Sequence, residues 1–126
     1  MKEIISTTKA PQAIGPYSQA TIAGNMVFIS GQVPIDPALG KLVDGDIKDQ
    51  TERVMKNLQA ILSEAGCDFS NVVKTTCLLS DINNFKAMNE VYGKYFPENP
   101  PARAAFAVKD LPLGALVEIE AVAVRK

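Results

Sequence analysis

The sequence DIKDQTERVMKNLQAILSEAG (residues 46–66), with VVKTTCLL (residues 72–79) shortly after it, predicts a helix followed by a strand. In the first segment, residues recurring at steps of three and four define one face of a helix: Ile47, Thr51, Val54, Leu58, Ile61, Leu62 and Ala65. Asp46 is suited to cap the N-terminus of this helix, and Gly66 to end it in a left-handed conformation. The second segment is rich in β-branched residues and is bounded by polar ones, which is typical of a strand.

A second helix is predicted from about Ile82 to Tyr95, because apolar and aromatic residues again recur on one side. Ser80 or Asp81 is placed to cap its N-terminus, and Pro97 follows its C-terminal end.

Further strands are predicted on both sides of these elements. Residues 18–23 and 26–30 flank a Gly-Asn dipeptide suited to a two-residue hairpin, and residues 36–40 form another turn. Residues 102–108 and 116–124 complete the set. The predicted fold is therefore α+β, a mixed and mainly antiparallel sheet with both helices packed on one face.

Composition limits the class of protein. The 126 residues fit one domain spanning residues 1–126. A formal net charge of −1 without a clustered basic run argues against nucleic-acid binding as the function. Histidine is absent, so a zinc site is not expected, and Cys77 is interpreted as a core residue. The polar N-terminus and the lack of a run of about 18 apolar residues predict a cytoplasmic protein without a membrane segment.

Charged residues interrupt the two C-terminal apolar strands. Arg103 lies in PPARAAFAV (residues 100–108), and two glutamates, Glu118 and Glu120, lie in VEIEAVAV (residues 117–124). If these strands pair as a hairpin closed near residues 109–112, Arg103 lies directly opposite Glu118, and Ala105 shares their face of the sheet.

This arrangement has two interpretations. A guanidinium binds a carboxylate through two parallel hydrogen bonds, and a glutamate orients a water or accepts its proton, so the pair suits a small carboxylic acid that reacts with water. The alternative is a surface ion pair that contributes less than about 1 kcal/mol to stability. The pattern alone does not separate the two.

Four other residues are candidates for a site. Tyr17 follows a constrained Gly-Pro turn, where its phenol can donate into a pocket, although a half-buried structural tyrosine is the commoner case. Ser30 and Gly31 end a strand, where the hydroxyl can bind an oxyanion and the glycine permits close backbone approach. Asn89, between apolar positions of the second helix, reads as an ordinary boundary residue.

Five separated segments together resemble the reactive intermediate deaminase family, also called the YjgF family. They are, in order, IGPYSQA (14–20), FISGQ (28–32), VKTT (73–76), PAR (101–103) and VEIEAVA (117–123). The resemblance extends from about Ile4 to Arg125, which is nearly the whole chain.

The resemblance implies a chorismate-mutase-like subunit that assembles as a homotrimer, with active sites in the clefts between subunits. It implies hydrolysis of 2-imino acids to 2-oxo acids and ammonia, with no cofactor or metal.

The resemblance also implies roles for individual residues. Arg103 is expected to clamp the substrate carboxylate, and Glu118 to position the attacking water. The remaining expected pocket residues are Tyr17, Ser30, Gly31, Asn89 and Ala105. Many members carry a cysteine where this chain has Ala105, so a thiol is not essential here and only a main-chain contact survives.

Two other functions remain open. Some members of the family are described as endoribonucleases or translation inhibitors, and the same clefts also suit a regulatory or chaperone-like trimer without turnover. The presence of both Arg103 and Glu118 favours catalysis, since a carboxylate sensor gains little from an adjacent anion.

Overall fold

A six-stranded sheet carries two α-helices in this structure, a computed structural model that describes residues 2–126. The elements are β1 (Lys2–Ile5), β2 (Ala20–Ala23), β3 (Met26–Gln32), β4 (Ile35–Asp36), β5 (Lys41–Leu42), α1 (Ile47–Glu64), β6 (Val72–Leu79), α2 (Phe85–Tyr92), β7 (Ala102–Ala107) and β8 (Val117–Val124). Among these residues, no helix has the length and apolar character needed to cross a membrane.

The strand order in the sheet is β1-β2-β3-β8-β6-β7, while β4 and β5 form a separate two-stranded hairpin. Only β6 and β7 are parallel, and the other neighbours are antiparallel, which confirms the predicted α+β fold with a mixed sheet. The predicted hairpin around Gly24-Asn25 is also confirmed, because Ala23 pairs with Met26. The sequence analysis did not predict β1.

The predicted boundaries of α1 are confirmed. The Asp46 carboxylate accepts hydrogen bonds from the backbone N–H groups of Lys48 (3.0 Å) and Asp49 (3.1 Å), and the Asp49 carboxylate accepts one from Asp46 N–H (3.1 Å). This reciprocal capping box satisfies donors that the first helical turn leaves free. Beyond the other end, Gly66 adopts a φ of +76°, a conformation that glycine tolerates.

The second helix is shorter than predicted. Only Phe85–Tyr92 is α-helical, and single 3₁₀ turns precede it (Ile82–Asn84) and follow it (Gly93–Tyr95). Asp81, and not Ser80, accepts the capping hydrogen bond, from the N–H of Asn83 (2.9 Å).

The core lies between the helices and one face of the sheet. Alternate residues of β8 are buried toward the helices, namely Val117, Ile119, Ala121 and Ala123. The other face is open in the single chain: Ile4 is 62% exposed, Phe28 45% and Phe106 48%. We call it the open face.

The predicted hairpin between the two C-terminal strands is wrong. Strand β6 lies between them, so Arg103 pairs with Thr75 in the parallel ladder and Glu118 pairs with Leu78 in the antiparallel one. Paired residues share a face, and Thr75 is on the buried helix side whereas Leu78 is on the open face. Arg103 and Glu118 therefore lie on opposite faces of the sheet.

The connection between β7 and β8 explains this difference. It crosses the end of β6, where Val108 N–H donates to Leu79 O (2.8 Å) and Ser80 N–H donates to Leu116 O (3.2 Å). Residues 108–116 readily span the roughly 10 Å between strands that are two positions apart in a sheet. The β-branched strand β6 thus gains neighbours on both edges, an outcome that side-chain alternation within β7 and β8 does not encode.

Candidate active site

A cavity of about 610 Å³ is lined by residues that the sequence analysis singled out, together with an apolar wall. Tyr17, Ser30, Gly31 and Glu118 all line it, as do Glu120 and Leu113. We call this cavity the Glu118 pocket. Tyr17, Ser30, Gly31 and Glu118 therefore lie together within one chain, whereas Arg103, the predicted partner of Glu118, does not line the cavity.

Gly31 determines where the Glu118 carboxylate lies. The pairing of β3 with β8 is irregular between Ile29 and Gln32, which is the signature of a β-bulge containing Ser30 and Gly31. A Cβ atom on Gly31 would overlap Glu118 Oε2 and lie only 3.0 Å from its Cδ. Glycine was expected here because it permits close approach to the backbone. The group that approaches the Gly31 backbone is the Glu118 side chain.

The environment of Glu118 makes its carboxylate a better proton acceptor than an ordinary glutamate. Burial raises the pKa of Glu118, and the charge of Glu120, two residues further along the same face of β8, raises it as well. The β6 residues paired with these two glutamates are Leu78 and Thr76, neither of which carries a charge.

Tyr17 belongs to an irregular stretch of residues 6–19, which we call the Tyr17 segment. Ser30 lies on β3 and contacts this segment at Ser18. The Tyr17 side chain is 52% exposed and forms part of the pocket wall. The Ser30 hydroxyl donates to Ser18 O at 2.6 Å. Its hydrogen is engaged there, so the structure does not support the predicted use of this hydroxyl as an oxyanion donor.

Arg103 lies in a second group of residues, which we call the Arg103 shelf: Phe85, Asn89, Tyr92 and Arg103. Its guanidinium lies 5.2 Å from the ring centre of Phe85 and 5.0 Å from that of Tyr92, within the range of a cation–π interaction. Arg103 NH1 donates to Asn89 Oδ1 at 2.7 Å.

Sequence reasoning missed Phe85 and Tyr92. The available signal was their spacing on α2, since residues 85, 89 and 92 follow the i, i+4, i+7 pattern of one helix face. Asn89 is consequently not an ordinary boundary residue.

Ala105 of β7 lies beside Cys77 of β6. The two residues are paired across β7 and β6, and Cys77 is fully buried, which confirms its predicted place in the core. Burial raises the pKa of the Cys77 thiol to about 11. The thiol is therefore neutral near pH 7 and a poor nucleophile.

The Glu118 pocket and the Arg103 shelf do not meet within one chain. The pocket opens on the bulge of β3 and the open face, while the shelf lies between α2 and the helix side of the edge strand β7. Within residues 2–126 there is also no cluster of three or more His, Cys, Asp or Glu side chains arranged to hold a metal ion.

Comparisons with known proteins cover nearly the whole chain. The family model described as Endoribonuclease L-PSP matches residues 7–125. The 2-iminobutanoate/2-iminopropanoate deaminase of Homo sapiens is 53% identical over 125 residues, which are 99% of this chain and 91% of the human one.

Two solved structures have the same fold. The Rid-family protein YyfA of Yersinia pestis has a TM-score of 0.96 at 46% identity, covering 98% of this chain and 99% of its own. E. coli TdcF, solved with bound serine, has a TM-score of 0.94 at 40% identity, with the same coverage of both chains.

Proposed function

The chain belongs to the Endoribonuclease L-PSP family, the reactive intermediate deaminase (Rid/YjgF) family that its motifs resemble, and we propose that it hydrolyses 2-imino acids. The observation that carries this proposal is the 53% identity to the human 2-iminobutanoate/2-iminopropanoate deaminase over 99% of the chain. The Glu118 pocket supports it, because a carboxylate in a partly apolar cavity suits the activation of water.

The reaction needs only water. The water oxygen adds to C2 of the imino acid, and the electron pair of the C=N bond moves to nitrogen. The resulting tetrahedral carbinolamine expels ammonia, and C2 becomes the carbonyl carbon of the 2-oxo acid. Nothing is oxidised or reduced, so no electron carrier enters the balance.

Glu118 and Arg103 have different roles in this proposal. Glu118 accepts a proton from the attacking water and returns it to the departing nitrogen. Arg103 binds the substrate carboxylate through the Nε/NH2 edge of its guanidinium, because NH1 already donates to Asn89. The serine bound in E. coli TdcF is also a small amino acid with a carboxylate.

The remaining pocket residues assist these two. The Tyr17 phenol donates a hydrogen bond to the bound acid, and Gly31 leaves the space that Glu118 occupies. Asn89 orients Arg103, and a main-chain group of Ala105 contacts the substrate.

In this proposal a complete site is built from two copies of the chain. Arg103 and Glu118 lie on opposite faces of one sheet, which supports a site in which the shelf of one subunit faces the Glu118 pocket of another. The half-exposed Phe28 and Phe106 on the open face supply apolar surface for such an interface. We therefore propose the homotrimer that the family resemblance implies, located in the cytoplasm, and expect a mass in solution about three times 13.5 kDa.

The description of the family model makes RNA cleavage the second candidate function. The lining of the Glu118 pocket disfavours it, since it includes two glutamates and, among the described residues, no lysine or arginine. Phosphates are bound chiefly by such cations.

A trapping assay tests the proposed activity. A threonine dehydratase generates 2-iminobutanoate in the presence of semicarbazide, and the protein is expected to reduce semicarbazone formation. Incubation of the same preparation with single-stranded RNA tests the second candidate. RNA cleavage without any effect on semicarbazone formation would reject the deaminase proposal.

Subunit mixing tests whether the site lies between copies. Arg103→Ala and Glu118→Gln variants, each expected to retain about 1% of native activity or less, are unfolded together in equal amounts and refolded. If each site takes Arg103 from one subunit and Glu118 from another, random assembly restores about one quarter of the sites. Two variants that stay inactive after verified subunit exchange would place both residues in one chain's site.

A further inference from the structure

The Tyr17 segment is long for a stretch without regular structure. Residues 6–19 form no helix or strand, yet Tyr17 near their end lines the Glu118 pocket. Irregular connections of this length in compact domains are usually functional or disordered. Something other than a sheet ladder must therefore hold the segment in place.

One buried side chain joins the two ends of the segment. Gln19 is 3% exposed, and its Nε2 donates to Thr7 O (3.0 Å) and Pro11 O (2.8 Å), with Ala10 O also near at 3.4 Å. Its Oε1 accepts from Thr7 N–H at 2.7 Å. A single amide thus satisfies both backbone groups of Thr7 and folds the start of the segment back onto its end.

Ser30 provides a second restraint directly beside Tyr17. Its hydroxyl donates to Ser18 O (2.6 Å), and its N–H donates to Gln19 O (2.9 Å). Both contacts hold the residues that follow Tyr17 against the bulge of β3, the same bulge that contains Gly31. The position of Tyr17 is therefore tied to the backbone over which Glu118 lies.

We propose that Gln19 and Ser30 are positioning residues, which hold the Tyr17 segment so that the Tyr17 ring is directed at the substrate in the Glu118 pocket. Gln19 and Ser30 act on turnover only through this segment, and the Ser30 hydroxyl does not contact substrate. The part that concerns turnover rests on the proposed function, whereas the restraint of the segment does not.

A double-mutant cycle tests the link to Tyr17. Gln19→Met and Ser30→Ala are each made in the native chain and in a Tyr17→Ala background, and kcat/KM is measured by the trapping assay. Each single change is expected to lower kcat/KM about 10- to 100-fold, the usual effect of misplacing a group that contacts substrate. With Tyr17 already removed, neither change should lower it further.

Three outcomes would overturn the proposal. Losses that multiply with that of Tyr17→Ala would mean that Gln19 and Ser30 act elsewhere, for example on substrate itself. Unchanged activity in both single variants would mean that the segment needs neither. The third is an equal loss of activity in the matched controls Gln59→Met and Ser63→Ala, which remove an exposed amide and an exposed hydroxyl from α1, outside the Tyr17 segment.

Hydrogen exchange separates this inference from the proposed function. The N–H of Thr7 donates to Gln19 Oε1, so Gln19→Met is expected to raise its exchange rate, with little change in β2 and β3. Unchanged protection of Thr7 overturns the restraint whether or not the protein is a deaminase. Absence of turnover in the unmodified protein rejects the proposed function instead, and the exchange result then decides the restraint alone.

Discussion

The Arg103 shelf and the Tyr17 segment differ in what holds them in place. The shelf stands on regular elements, with Phe85, Asn89 and Tyr92 on one face of α2 and Arg103 on β7. The Tyr17 segment has no ladder and depends on the hydrogen bonds of Gln19 and Ser30. A substitution on the shelf should therefore change only the contacts of the shelf. A substitution of Gln19 or Ser30 should also move Tyr17 in the Glu118 pocket.

The largest effect is expected on the shelf, from Arg103→Ala. This change removes the proposed carboxylate clamp and should lower kcat/KM by up to about 10³-fold, since truncating one partner of a charged hydrogen-bonded pair costs about 2–5 kcal/mol. Arg103→Lys should also be poor, because an ammonium does not reproduce the planar two-bond contact. The trapping assay measures both.

The control for Arg103→Ala is Lys109→Ala, which removes an exposed cation from the end of the same strand region. Both variants should keep the mass in solution of the native protein, because the main contact that Arg103→Ala removes in this proposal is the one to substrate. Near-normal turnover by Arg103→Ala would show that the Arg103 shelf is not part of the active site and that the Glu118 pocket acts without it.

Glu118→Gln sharpens the contrast, because it should separate turnover from binding. The amide keeps the shape but cannot take the water proton, so we expect turnover to fall about 100-fold, at the low end of general-base effects since imines already hydrolyse in water. Calorimetry with 2-oxobutanoate should show binding equal to or tighter than native, because a negative charge near the substrate carboxylate is gone. Lost binding together with lost turnover would show that Glu118 belongs to the clamp.

The sequence predicted the parts of the molecule that depend on local patterns. Helix α1 with its Asp46 cap, the β2–β3 hairpin and the buried Cys77 follow from periodicity, capping chemistry and turn residues. The neighbour of β7 did not follow, because alternation fixes two faces of a strand and not the strand beside it. For this reason Arg103 was predicted opposite Glu118.

The sequence identified several residues of the candidate site but not how they are arranged in space. Motifs shared with the family identified Tyr17, Gly31 and Glu118, which do line one pocket. The hydrogen bond that the Ser30 hydroxyl donates to Ser18 O did not follow from the sequence. Such contacts depend on how an irregular segment folds back, and that is determined by long-range packing.

Gly31→Ala tests whether the pocket depends on backbone geometry. An added Cβ would overlap the Glu118 carboxylate, so Glu118 must move, and we expect kcat to fall about tenfold as the base is displaced from the water. Gly93→Ala is the matched control, because a Cβ there meets no atom within 4 Å and its φ is not positive. Equal activity of the two alanine variants would show that the placement of Glu118 over Gly31 is unimportant.

The smallest effect is expected from Glu120→Gln, which changes only the charge beside Glu118. Burial is the main cause that raises the pKa of Glu118 and the Glu120 charge is the second, so the substitution should lower that pKa without restoring the ordinary value. Glu118 must be ionised to accept a proton, and activity is therefore lost as the pH falls through its pKa. The acid limb of the kcat profile should lie at higher pH than the pKa of an ordinary glutamate and shift to lower pH in Glu120→Gln, while activity at pH 8 stays the same.

The control is Glu98→Gln, a substitution in an exposed loop, which should leave the acid limb of the kcat profile at its native pH. A limb that does not move in Glu120→Gln would mean that Glu120 does not influence the base, and the Glu118 pocket would then owe its electrostatics to burial alone.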